Sequence, residues 1–229
     1  MQIQSNLKKI HDDIRAAAQK SGQDASQVTL IAVSKKKPPE MIQQAIDAGQ
    51  KNFGENYIQE AMEKIDLLGR KSATWHFIGH LQSNKAKFAV KYFDLIHTVD
   101  KVKLAKEINR QAQKIGKMQE ILLQVNISQE TTKSGAKENE IVDIAKQVCR
   151  FDNLHVSGLM CMPPFFDDPE DARIYFKRLK QISKDIEALN LPNTTMTHLS
   201  MGMSNDFPVA VEEGATLVRV GTAIFGARQ

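Results

Sequence analysis

The stretch VTLIAVSKKKPP (residues 28–39) decides the fold. Its first six residues are short, apolar and β-branched, and read as a buried strand. Three lysines follow, and then Pro38-Pro39 opens a helix that carries Met41, Ile42, Ala45 and Ile46 and is closed by Gly49. No glycine stands between strand and helix. A doubly wound open sheet would normally expose its glycine-rich phosphate fingerprint there. Its absence favours the other architecture made of alternating strands and helices.

Working outward, the same unit recurs. Short apolar runs at 52–54, 75–78, 95–99, 120–127, 154–160, 197–200 and 216–220 read as further strands. Helical stretches follow them at 57–68, about 84–92, about 101–115, about 138–149, about 169–189 and 205–213, with a last short turn after the final strand. Strands separated by helices lie parallel, because a parallel crossover needs a connecting element. Eight such units closing on themselves make a single (β/α)8 TIM barrel, typically about 250 residues long. Ahead of it, Ile3, Leu7, Ile10, Ile14 and Ala17 recur at spacings of three and four, which marks an extra N-terminal helix ended by Ser21-Gly22. Nothing in composition divides the chain, so residues 1–229 read as one domain.

Composition narrows the function. The 229 residues are 41% hydrophobic and 25% charged, ordinary for a globular protein. The net charge of +4 is mild and spread out, and only three tyrosines and one tryptophan could stack on bases. That argues against nucleic acid as a partner but leaves room for a small anion. Cys149 and Cys161 fit neither a zinc site nor a disulfide framework, which points to a reducing, cytoplasmic setting. The start MQIQSNLKKIHDD lacks a signal-peptide core, and no run approaches the ~18 apolar residues of a membrane span.

Barrel chemistry collects at the C-terminal ends of the strands. Ser34, Lys35, Lys36 and Lys37 stand after the first strand, Gly54, Glu55 and Asn56 after the second, and Gly79, His80, Gln82 and Asn84 after the third. Ser200 and Met201 end the seventh, and Arg219, Gly221 and Thr222 the eighth. Lys35 shares a strand face with Thr29, Ile31 and Val33, and a lysine extending a buried run is a candidate Schiff-base amine. The plain alternative is a solvated charge run. Arg219 lies inside an apolar strand and needs an acceptor, either a neighbouring carboxylate or a ligand atom. Gly221 and Thr222 then open a helix whose first N–H groups could receive a phosphate, with Ser200 beside them. His76 and His80 do not share a helical face and make a poor metal pair. Asp167, Asp168, Glu170 and Asp171 read as a loop and helix start.

Eight blocks then carry a resemblance: AVSKKKP (32–38), FGENYIQE (53–60), WHFIGHLQSNK (75–85), HTVD (97–100), VNISQETTKSG (125–135), GLMCMPP (158–164), LSMGMSNDF (199–207) and VRVGTAIFGAR (218–228). In order and over nearly the whole chain, they closely resemble the pyridoxal phosphate homeostasis proteins, the YggS/PROSC family. The resemblance implies a barrel like the N-terminal domain of alanine racemase, with pyridoxal 5′-phosphate (PLP) held on Lys35 as a Schiff base. It implies that Ser200, Gly221 and Thr222 bind the phosphate, that Arg219 faces the pyridine nitrogen, and that Asn56 lies near the ring or its hydroxyl. Lys37 and Lys133 match family lysines that handle or relay the cofactor. The family pattern usually reads Ser-Lys-Thr-Lys where this chain has Lys36, and it differs again at Phe207.

An arginine at the ring nitrogen disfavours its protonation and weakens the electron sink that PLP enzymes rely on. Related racemases add a tyrosine base from a second domain. Here the sequence ends at Gln229, just after the eighth unit, and Tyr57, Tyr92 and Tyr175 are not expected at strand ends facing the site. The expectation is therefore a monomeric, cytoplasmic PLP carrier for vitamin B6 homeostasis, not an enzyme, that passes PLP to apo-enzymes. The alternatives are a fold-type III PLP-dependent racemase or decarboxylase of amino acids, and a Schiff-base lyase acting on a phosphorylated sugar.

Overall fold

The computed structural model describes residues 2–128 and 134–226. Eight parallel strands form its wall: β1 (Thr29–Val33), β2 (Asn52–Glu55), β3 (Thr74–Phe77), β4 (Leu95–Val99), β5 (Gln119–Asn126), β7 (Leu154–Cys161), β8 (Thr194–Met203) and β9 (Leu217–Val220). A two-residue strand, β6 (Ala136–Lys137), pairs with the end of β5. The order β4-β3-β2-β1-β9-β8-β7-β5 is closed by pairing of β4 with β5, so the sheet is a barrel and the wall has no free edge. Every pairing is parallel.

The helices return on the outside. They are α2 (Pro39–Asp47), α3 (Ile58–Leu68), α4 (Ala86–Tyr92), α5 (Val102–Lys114), α6 (Ile141–Val148), α7 (Arg173–Glu187), α8 (Phe207–Glu212) and α9 (Thr222–Phe225). The leading helix α1 (Gln2–Ser21) buries Ile3, Leu7, Ile10, Ile14, Ala17 and Ala18 and packs on α8, α2 and α9. The expected barrel and its extra helix are both present.

Alternation along each strand makes two cores. The large one lies between wall and helices and includes Phe53, Trp75, Phe77, Ile96, Ile121, Phe176 and Val218. The small one fills the barrel interior with Ile31, Leu95, Leu122, Met160 and Leu217. The rest of the interior is polar: His76, His97, Ser200 and Arg219 are all buried there. Among the described residues, no helix is long and apolar enough to cross a membrane. Cys149 and Cys161 are buried free thiols, and burial pushes the Cys161 thiol up to about 12.

Two local features matter for the site. The first strand stops at Val33, as the sequence indicates, and Ser34–Lys37 is a tight turn closed by Lys37 N–H donating to Ser34 O at 3.0 Å, so Lys35 stands on a turn beyond the strand face. Lys36 sits in the left-handed region at φ 58° and is exposed, whereas Lys35 is half-buried. The seventh stave, β8, is also longer than expected, running three residues past Ser200 to Met203. A register shift between Ser200 and Met203, with Gly202 at φ 88°, accommodates the extra length.

Gly158 shows how tightly β7 lies on β8. Its φ is 151°, and an added Cβ would meet His198 O at 1.9 Å. Gly158→Ala should therefore cost about 3 kcal/mol or more, because backbone, not a flexible side chain, would have to move. Urea unfolding of the variant beside the parent checks this.

Candidate functional site

The turn after β1 is held from behind by a buried ion cluster. Lys64 on α3 donates to Ser34 O at 2.7 Å, Glu55 Oε1 at 2.8 Å and Glu60 Oε1 at 2.5 Å. Ser34 Oγ donates to the same Glu55 oxygen at 2.7 Å, and Glu60 receives Lys36 N–H at 2.5 Å. Lys64 is 5% exposed and Glu55 fully buried. Desolvation raises the Glu55 carboxyl above its usual range, against the opposing pull of Lys64. The cluster fixes the backbone on both sides of Lys35. On the next turn, Lys37 Nζ donates to Phe225 O and Gly226 O at 3.2 and 3.1 Å, which ties the lysine turn to the end of α9.

Lys35, Asn56, Arg219, Gly221 and Thr222 line one cavity of about 510 Å³ at the C-terminal mouth of the barrel. Asn56 is locked by its neighbour: a Cβ on Gly79 would lie 2.1 Å from Asn56 O, so only glycine allows the two loops to meet. Asn56 Oδ1 is buried and has no hydrogen-bond partner. An orphaned buried carbonyl is costly unless a ligand donor completes it. Arg219 donates from Nη1 to Ser200 Oγ at 2.6 Å and from Nη2 to Cys161 O at 2.9 Å. A hydroxyl and a main-chain carbonyl, and not a neighbouring carboxylate, accept these two hydrogen bonds.

Ser200 is the exception among the sequence candidates. It is fully buried, lies between Arg219 and His97, and is not on the cavity wall. Because β8 continues to Met203, the hydroxyl at the strand end belongs to Ser204. Ser204 Oγ lies 3.4 Å from Gly221 N and 3.2 Å from Thr222 Oγ1. Asp206 shapes that turn by accepting Met203 N–H at 2.6 Å. Gly221 packs against the end of β1, where an added Cβ would meet Val33 O at 3.2 Å. Ser204, Gly221 and Thr222 thus make a small cradle with two hydroxyls and the first N–H groups of α9, which have no partner inside the helix.

The far wall is apolar. Met162, Phe165 and Phe166 face the cavity, Phe165 is 74% exposed, and Asn205 Nδ2 holds Phe166 O at 3.0 Å. Tyr175 stacks on Phe166 with centroids 5.8 Å apart, Tyr92 donates to Asp66, and Tyr57 is half-exposed; none of the three lines the cavity. Asp168 accepts Glu170 N–H at 2.9 Å and caps a short turn, and Glu170 pairs with Arg173. His80 is exposed, while His76 is paired with His97 instead, 3.0 Å apart. No group of three or more metal-ligating side chains gathers among the described residues. Lys133 lies outside the described residues.

Residues 5–229 match the family of the alanine racemase N-terminal domain, a class built on such a parallel barrel. Its solved members include an alanine racemase of Clostridium difficile 630, 13% identical with a TM-score of 0.75, of which this chain covers 56%; that likeness is one of fold alone. The chain is 43% identical over its full length to the pyridoxal phosphate homeostasis protein of Pasteurella multocida, covering 98% of it, and 41% identical to that of Escherichia coli K12, covering 97%. PipY of Synechococcus elongatus, whose structure was solved with PLP bound, is 36% identical with a TM-score of 0.86, over 98% of this chain and 100% of that one. The chain belongs to the pyridoxal phosphate homeostasis protein family.

Lys64→Met leaves Glu55 buried without its cation and should cost about 3–5 kcal/mol, and adding Glu55→Gln should recover much of the loss; urea melts of both variants decide. Burial also lowers His76 to about 4 and holds His97 well below its usual range. A depressed imidazole stabilises the fold above its unfolded pKa near 6.5 and loses that contribution as pH falls toward the folded value. His76→Gln should therefore flatten the decline of stability between roughly pH 6.5 and 4 by about 1.4 kcal/mol per pH unit. Equal slopes for parent and variant would contradict it.

Proposed function

We propose that this chain is a PLP-binding protein of intracellular vitamin B6 homeostasis, which holds PLP reversibly and hands it to apo-enzymes. The observation that carries the reading is a single cavity that presents the Lys35 amine, the Arg219 cation, the partnerless Asn56 Oδ1 and a hydroxyl cradle. PLP supplies a reactive aldehyde that primary amines capture, and a phosphate that anchors it. Lys35 is the amine of this site. Gly221, Thr222 and Ser204 take the phosphate, with Ser204 in the place first given to Ser200. Asn56 Oδ1 accepts from the ring hydroxyl.

Arg219 faces the ring nitrogen. A guanidinium only donates and stays charged, so it leaves that nitrogen unprotonated. This supports holding the cofactor over turning it into a carbanion sink. The described wall of the cavity also bears no tyrosine, histidine or second lysine, and its one acid, Asp206, is occupied by Met203 N–H. The same reading places the protein in the cytoplasm as a monomer.

Purified protein supplied with PLP should show a visible absorption band that Lys35→Ala abolishes, and Ser204→Ala should weaken PLP retention by roughly tenfold. A parent protein that stays colourless would overturn the reading. A fold-type III racemase or decarboxylase predicts something else: turnover of amino acids well above that of free PLP in a chiral or decarboxylation assay.

A further inference from the structure

Ser200 links Arg219 to a line of side chains that runs through the barrel to its opposite end. Arg219 Nη1 donates to Ser200 Oγ at 2.6 Å. Ser200 Oγ lies 2.9 Å from His97 Nδ1. His97 Nε2 lies 3.0 Å from His76 Nδ1, and His76 Nε2 lies 3.0 Å from Asn52 Oδ1. These four residues come from β8, β4, β3 and β2, and none of them is on the cavity wall.

The two ends fix the direction. A guanidinium can only donate, and the Asn52 carbonyl oxygen can only accept. Burial keeps both imidazoles neutral, so each has one donor and one acceptor nitrogen. Asn52 Oδ1 takes its hydrogen from His76 Nε2. His76 Nδ1 is then left to accept from His97 Nε2, and His97 Nδ1 to accept the Ser200 hydroxyl. The Ser200 oxygen in turn accepts from Arg219. All the donors point the same way, and each link strengthens the next.

We propose that Ser200, His97, His76 and Asn52 are positioning residues for Arg219: a one-way hydrogen-bond relay that fixes which guanidinium N–H groups face the cofactor and couples them to a proton at the barrel floor. The proposal rests on the reading of the cavity as a PLP site. Cys161 O already holds Nη2 at 2.9 Å, so two of the three guanidinium nitrogens are tied back and the remaining N–H directions are set.

The floor end opens on a polar pocket of about 450 Å³. Around His76 stand Asp94 before β4, which favours its charged form, and His198 on β8, which opposes it. Glu120 on β5 and His155 on β7 line the same pocket. Arg219 and His198 oppose a charge on His97. A proton on His76 makes both of its nitrogens donors. His97 must then accept at Nε2 and donate from Nδ1 to Ser200, and the Ser200 hydroxyl loses its acceptor. The hydrogen bonds beneath Arg219 are reversed from the other end of the barrel.

Asn52→Asp tests this without touching the cavity, since a carboxylate there favours charged His76. In PLP-free wild-type protein, nitrogen NMR should find both His76 and His97 protonated at Nε2 at neutral pH. In Asn52→Asp, His76 should titrate between about pH 5 and 7, and the absorption band of bound PLP should shift over the same range. In Asn52→Asp with Ser200→Ala, His76 should still titrate while the band no longer follows. Rings protonated at Nδ1, or a band indifferent to His76 titration in Asn52→Asp, would overturn the proposal. If Asn52→Asp does not fold, Ser200→Ala alone decides: it should shift the band and weaken PLP retention roughly tenfold, and an unchanged band and retention refute the relay. A wild type that takes up no PLP refutes the reading of the site instead, and the imidazole NMR still decides the direction of the relay.

Discussion

Arg219 carries a charge that cannot be titrated away, and it is only 4% exposed at the mouth of the barrel. An enclosed cation demands acceptors, and the interior is arranged to supply them. Ser200 and Cys161 O take two of its nitrogens, and two neutral histidines stand behind Ser200. The apolar filling of a parallel barrel is correspondingly reduced to Ile31, Leu95, Leu122, Met160 and Leu217. The cost of a polar interior is offset because each of these groups has a partner. What the fold gains is a fixed positive face at the strand ends, where ligands of such barrels bind.

The second charged element works on the other side of the cavity. Lys64, Glu55 and Glu60 clamp the turn that carries Lys35, and Lys37 ties that turn to α9. One chain segment thus sets the spacing between the lysine amine and the cradle at Ser204, Gly221 and Thr222. Buried ion pairs seldom add net stability over an apolar core. Here the cluster's return is geometric: Ser34 and Lys36, the residues flanking Lys35, are both held by it.

Much of this was legible in the sequence. The eight strands and their helices follow from apolar runs bounded by Pro and Gly, and the strand at Leu95–Val99 was read to the residue. Lys35, Asn56, Arg219, Gly221 and Thr222 were named and do share one cavity. Ser200 lies behind the cavity wall because the chain stays extended past it through a bulge to Met203, although the apolar run of the seventh strand fades before Gly202. The signal that could have found Ser204 was the next hydroxyl in SMGMS, after the flexible glycine. The His76–His97 pair was missed because the contact joins residues 21 apart in sequence, and only strand register brings them together. Each histidine did sit at an alternating position of an apolar strand, in TWHF and LIHTV, which places both inside the barrel. The two-residue β6 is too short to leave a periodic signal.

In the proposed site one amine, at one strand end, holds the cofactor. Borohydride reduction of PLP-loaded protein, followed by fragment sequencing across residues 34–37 and the other lysine-bearing peptides, tests it most directly. A single pyridoxyl mass increment should appear on Lys35 at stoichiometric loading. A label on Lys36 or Lys37, or one spread over surface lysines, would contradict it.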